Sequence, residues 1–203
     1  MRTLYMDQFE YVMVLVSIIV GLGIAHILFG IGGIIDRLTG EREPLTLSLV
    51  HASWLAGLFG WLISFWWWEY RFSDRVDEWT VGLYFFLVFY AVALFILAVV
   101  LVPRTWDHVA SLDEYFLQRR TWCYWLWAFA NLLDLIDSYL KGGWNYIVNE
   151  AGLLSQGQVF IAIPIALVGM RTRNMTFHKI VGVMFMLWQY LSAFGFLPTL
   201  TMS

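Results

Sequence analysis

Charge is what this chain has least of. Asp, Glu, Lys and Arg make up 13% of its 203 residues, against roughly 25% in an ordinary soluble domain. Twelve basic residues stand against fifteen acidic ones, a formal net charge of −3, and no basic stripe is present to follow a phosphate backbone. Nucleic acid is thereby excluded as a partner. Cysteine occurs once, at Cys123, which excludes a disulfide framework, a CxxC redox pair and a cysteine zinc cluster. No lysine falls deep inside an apolar run, Lys179 standing at the edge of the last one, so there is no retinal Schiff base. The motifs GxGD, GxSxG and HExxH are all absent, and with them the corresponding intramembrane aspartyl, serine and zinc hydrolases. No catalytic residue and no cofactor are expected.

Apolar surface is abundant instead. Hydrophobic residues reach 61%, with 16 Phe, 12 Trp and 10 Tyr, and the mean hydropathy is +0.70. A soluble fold of this length leaves roughly a third of its chain surface in water and could not hide so much apolar area. Lipid must be the solvent for most side chains. The expected fold is an all-α, polytopic membrane helical bundle, with residues 1–203 forming a single transmembrane domain. Runs long enough to cross a bilayer, about 20 residues, lie at 9–35, 45–68, 79–102, 121–140, 151–170 and 177–200. The first exceeds a signal-peptide core and has no A-x-A site behind it, so it is expected to remain in the mature protein.

Six spans divide the basic residues unequally. The side holding both termini carries Arg2, Arg71, Arg75 and Lys141; the other carries Arg37, Arg42, Arg104, Arg119, Arg120, Arg171, Arg173 and Lys179. Eight against four predicts the second side in the cytoplasm and both termini outside. The fifth span is the weakest, because Ser155, Gln156, Gly157 and Gln158 precede its apolar part. Pro44, Pro103 and Pro198 punctuate span ends. Pro164 lies within a span, where it is a kink satisfied by a neighbour or a hinge beside a site. Ser111-Leu112-Asp113-Glu114 reads as a capping box. It predicts one helix from Leu112 to Leu140, roughly 43 Å long.

Helices in lipid associate by close packing. Ser48, Ala52, Ala56, Gly60 and Ser64 form a ridge of small residues at every fourth position, with Trp54, Leu58, Trp61, Phe65 and Trp68 on the opposite face. Ser17, Gly21 and Ala25 repeat the spacing in the first span and predict the first and second spans as partners. The third span carries no strongly polar residue and reads as peripheral. Trp66, Trp67, Trp68, Trp79 and Trp144 fit the outer interface.

Polar residues inside the spans are few. The fourth span carries Asn131, Asp134, Asp137 and Ser138; at 100° per residue, Asn131, Asp134 and Ser138 fall within about 60° of one another. A carboxylate near the bilayer centre costs about 2.5–3.5 kcal/mol on the insertion scale. No intramembrane cation is in sight to offset it, and no second helix contributes a deep acid. Asp134 and Asp137 are therefore either packing glue or an ion or proton site, with Asn131 and Gln189 lining it and His26 extending the polar path. His26 and His51 could alternatively ligate haem or a metal, or simply hydrogen-bond across a helix interface. Gln189 alone reads as interhelical glue.

The segment MDQFEYVMVLVSIIVGLGIAHILFGI at 6–31, RTRNMTFHK at 171–179, the Trp cluster near Trp67 and LQRRTW resemble a family of small polytopic bacterial inner-membrane proteins without an established activity. The resemblance implies a multi-pass protein of the bacterial plasma membrane and supplies no mechanism. Three readings remain: a channel or transporter subunit for an ion, proton or small solute; a haem-binding redox protein; and a non-catalytic protein that docks another membrane protein. The expected partners are the lipid bilayer and a second copy or another membrane protein.

Overall fold

A computed structural model of the chain describes residues 8–40, 45–76, 79–150 and 153–194, without the side chains of 150 and 153–157. Arg2, Arg42, Pro44 and Pro198 lie outside the described residues, as do the side chains of Ser155, Gln156 and Gly157. The elements are helical: α1 (Gln8–Thr39), α2 (Leu49–Glu69), a short α3 (Phe72–Arg75), α4 (Val81–Leu101), α5 (Leu112–Asn145), a π-helical turn (Tyr146–Glu150), α6 (Leu153–Arg171) and α7 (Met175–Ala193). No strand occurs among the described residues; one isolated bridge joins Thr46 to Ser111.

Three segments are long and apolar enough to cross a membrane: Gln8–Thr39, Leu49–Arg75 and Val81–Leu101. The apolar part of α6, Gln158–Arg171, is shorter. The surface of the bundle is inverted relative to a soluble protein. Phe29, Val81, Phe160 and Trp122 are 79%, 71%, 71% and 63% exposed, whereas Glu69, Asp134, Asp137 and Lys141 are 2–6% exposed. Apolar outside and charged inside is an arrangement that lipid stabilises and water does not.

Local chemistry sets the helix ends. Ser111 accepts the Glu114 N–H at 3.4 Å, so the capping box opens α5 where expected. Gly142 and Gly143 break the regular helix; Gly143, at φ +63°, is in the left-handed region that glycine tolerates best. Lys141 is therefore the last regular residue of α5. Thr80 caps α4 through the Leu83 N–H. Ser48 caps α2 by accepting the His51 N–H at 3.0 Å, which removes it from the expected small-residue ridge.

The packing corrects the expected helix neighbours. α1 lies chiefly against α4 rather than α2, and α7 lies chiefly against α2 rather than α6. α2 also touches α1, α4 and α5 and is the central helix, 61% buried against 33% for α1. Its bulky face forms the core: Trp54 and Leu58 are fully buried, and Trp61 and Phe65 nearly so. Ala52 of the ridge is exposed, Ala56 and Ser64 are half-buried, and α7 is met at Gly60, by Tyr190 and Gln189, and at the Ala56 carbonyl, which accepts the Tyr190 hydroxyl at 3.2 Å. The physical reason is area. An indole buried on all sides makes many more dispersion contacts than a methyl ridge.

In α1 the close approaches come at Gly23, Gly30 and Gly33. These meet Leu62, Val102 and Trp106, and a Cβ at Gly30 or Gly33 would overlap its neighbour. Gly21 has open space around it and Ala25 is half-buried, so the expected Ser17–Gly21–Ala25 contact with α2 is not how α1 packs. Ser17 is nevertheless engaged, accepting the Trp66 indole N–H at 2.5 Å. α4 is not peripheral; Leu87, Tyr90, Ala91, Leu94, Leu97, Ala98 and Leu101 line one buried stripe between α1 and α5.

Candidate functional site

The end of the bundle where α5 finishes gathers four ionisable side chains from two helices. Lys141 is 4% exposed and pairs with Asp137, one turn back on α5, and with Glu69 Oε2 of α2 at 3.3 Å. Glu69 and Asp137 are thereby brought to the same ammonium. Phe72, fully buried at the start of α3, lies 4.8 Å beneath the Lys141 ammonium and closes the cluster from that side. Arg75 sits over the Tyr146 ring at 5.3 Å, which holds α3 against the π-helical turn.

One helical turn deeper, Tyr90 of α4 donates its hydroxyl to Asp134 Oδ1 at 3.0 Å and is itself approached by the Trp61 indole. Gln158 of α6 approaches the same carboxylate, whose Oδ2 nevertheless closes no well-aligned hydrogen bond. Asp137 Oδ1 is likewise without a hydrogen-bond partner. Asn131 spends one N–H on the Trp127 carbonyl at 2.8 Å, within its own helix.

Two expectations fail here. A cation does offset the carboxylates: Lys141 lies beyond the last apolar residue of the run, but its side chain folds back into the bundle beside Asp137. A second helix does contribute an acid: Glu69 stands one residue past the 45–68 run. Both were accessible from periodicity. Leu58, Leu62, Phe65 and Glu69 continue one stripe at spacings of four, three and four. Asp134, Asp137 and Lys141 make a stripe on α5 at spacings of three and four. Tyr90 gave a weaker signal, a polar tip within an otherwise apolar buried stripe.

The charge arithmetic is uneven. Glu69, Asp134 and Asp137 would carry three negative charges if all were ionised, and Lys141 supplies one positive. An uncompensated charge in a low-dielectric interior costs several kcal/mol. Three carboxylates facing one ammonium are therefore costly as a fully ionised set.

The remaining candidates lie elsewhere. Gln189 of α7 is buried beside a cavity bounded by α5, α6 and α7, which Asn131 and Gln158 also line. Pro164 lies within α6, which remains one helix through it, and its ring faces outward. His26 and His51 both meet α4 but at different heights. His26 packs edge-on against Phe95, and His51 Nε2 bonds the Leu101 carbonyl at 2.8 Å. Six residues along a helix separate those contacts by about 9 Å. Among the described residues no group of three or more His, Cys, Asp or Glu is placed to hold a metal ion.

A histidine that the sequence reading passed over is better integrated. His178, fully buried at the other end of the bundle, shares a hydrogen bond with the Tyr124 hydroxyl at 2.9 Å and another with the Thr172 carbonyl at 3.2 Å. It lies among Phe116, Phe177 and Tyr124 and has no open side. That makes it a structural group. Comparison with protein families, characterised proteins and solved structures finds no match for this chain.

Proposed function

We propose that the chain is a multi-pass membrane protein in which all six long helices cross the bilayer, with both termini outside, and that it carries a proton or a monovalent cation through its carboxylate cluster. One observation carries this reading: three buried carboxyl groups stand against one buried ammonium. Asp134 is the exchanging group in this scheme. It is the carboxylate nearest the middle of α5, it has no contact with Lys141 of its own, and it holds an oxygen in reserve. Tyr90 positions it from α4 and Gln158 from α6. Glu69, Asp137 and Lys141 form the fixed part that sets the local field. Asn131, Gln189 and His26 extend the polar path, and Pro164 is a hinge candidate in α6. A bacterial plasma membrane and assembly as a homo-oligomer complete the proposal, since six spans of this length enclose little space alone.

The test is flux. The protein, reconstituted in liposomes with a trapped pH dye, should dissipate an imposed proton or cation gradient, and Asp134→Asn should slow this at least tenfold while melting at the same temperature or higher. Full flux in a well-folded Asp134→Asn protein would remove Asp134 from the pathway.

A further inference from the structure

The cavity between α5, α6 and α7 has its own chemistry. Its volume is about 260 Å³. It exists because α6 packs on α5 while α7 packs on α2, so that α6 and α7 barely touch. The wall is mostly aromatic and aliphatic, with Trp127 from α5, Ile161 and Ala162 from α6, and Met184 and Phe185 from α7. Three carboxamides interrupt it, Asn131, Gln158 and Gln189, and no ionised side chain does.

The second observation is an unpartnered polar group in that wall. The indole N–H of Trp127, whose ring forms part of the cavity wall, is buried without a partner. Such a group in an apolar interior is costly and is ordinarily satisfied. Gln189, 7% exposed, lines the same cavity with a carboxamide that can donate or accept. A buried donor without an acceptor and a carboxamide border one apolar chamber.

We propose that this cavity binds an uncharged, membrane-soluble molecule that presents a carbonyl oxygen on an apolar body and enters sideways from the bilayer between α6 and α7. The carbonyl accepts from Gln189. The apolar body lies on Trp127, Met184 and Phe185. An anion is disfavoured by the carboxylates one layer away, and a cation would be drawn past the cavity to Asp134. The volume is at the lower limit of ordinary ligand sites, roughly 300–1,000 Å³, so a ring or short head is enclosed and any longer chain remains among lipid. The inference stands on the cavity's own walls and is independent of whether Asp134 exchanges protons.

Two photoreactive probes of equal length test it, a long-chain alkyl diazirine carrying a ketone and the same diazirine as a plain hydrocarbon. Both are added to the full-length protein in phosphatidylcholine vesicles, and the labelled residues are mapped by mass spectrometry. The ketone probe should concentrate on residues 161–165 and 181–188 well above its labelling of the outward faces at Phe29 and Phe85. Unlabelled ketone should compete it away, and the hydrocarbon should show no such preference. Gln189→Leu, close in volume, should lower the ketone labelling about fivefold, the effect of one lost hydrogen bond, with the melting temperature held or raised. Ala162→Phe should fill the chamber and abolish labelling there. Equal labelling by both probes would make the cavity a lipid-filled seam and overturn the proposal. Labelling no stronger than at Phe29 and Phe85, or unchanged in Gln189→Leu, would overturn it equally.

Discussion

The two ends of α5 solve the same problem in opposite ways. At the Ser111 end, several buried polar groups bond to backbone carbonyls or to each other. His51 bonds Leu101, His178 bonds Tyr124 and Thr172, and Arg37 donates to the Val109 carbonyl at 3.1 Å. The segments before α2 and α5 are clasped there, with Thr46 N–H donating to Ala110 O at 2.9 Å and Leu112 N–H donating to Thr46 O at 3.1 Å. Trp54 is the hub, in contact with the rings of Phe116, Tyr124, Trp127 and Phe185. At the Lys141 end, buried polar groups are ionisable, outnumber their counter-charge and keep oxygens without partners. The Ser111 end is sealed by aromatic packing, although His51 Nδ1, Arg37 Nε, Arg120 Nε and Trp54 Nε1 are unpartnered there; only the Lys141 end gathers buried carboxyl groups in excess of their counter-charge. Neutral groups that satisfy one another hold a fold in place, whereas a charge imbalance can be corrected only by something that enters or leaves.

The contrast breaks most sharply at Lys141. Lys141→Met should destabilise the protein by about 3–5 kcal/mol, because it strands Glu69 and Asp137 in the interior. The loss should be visible as a lowered melting temperature in detergent. Adding Glu69→Gln and Asp137→Asn to the same chain should restore most of it, and failure of that rescue would show that the four groups are not one unit. Trp54→Ala tests the sealed end and should also cost about 3–5 kcal/mol, but with no rescue from any change in charge. Tyr90→Phe should cost about 1–3 kcal/mol, the value of a hydrogen bond to a carboxyl group, and should slow any flux through Asp134. Its counterpart Tyr124→Phe should cost about 1 kcal/mol and leave flux unchanged, which separates a positioning hydroxyl from a packing one. The smallest effect is expected at Gly21→Leu, within about 0.5 kcal/mol, since that face of α1 is open. Gly33→Leu, against Trp106, should disrupt the packing of α1.

Composition and apolar run length were enough to establish an all-helical protein with helices fit for lipid, because hydropathy and length are properties of a segment by itself. The capping box at Ser111 and the long α5 were legible for the same reason; a cap is made by residues three apart, whatever lies around them. Asn131, Asp134 and Asp137 stood out because a polar residue in an apolar run is conspicuous. Which helices touch was decided only by the tertiary structure. The ridge on α2 and the Ser17–Gly21–Ala25 row have the spacing of a helix contact. Yet Gly23 receives Leu62 of α2, Gly30 and Gly33 receive Val102 and Trp106 from the segment after α4, and the aromatic face of α2 takes the centre, because several helices compete for each face and total buried contact area selects the winner. Long side chains were illegible in the same way. Lys141 and Glu69 sit at the ends of their apolar runs, and a residue at a run's end can reach outward to the interface or back into the bundle. The sequence placed these two charges at the boundary; only the fold, by packing Phe72 against Lys141 and pairing Lys141 with both Asp137 and Glu69, turned both inward.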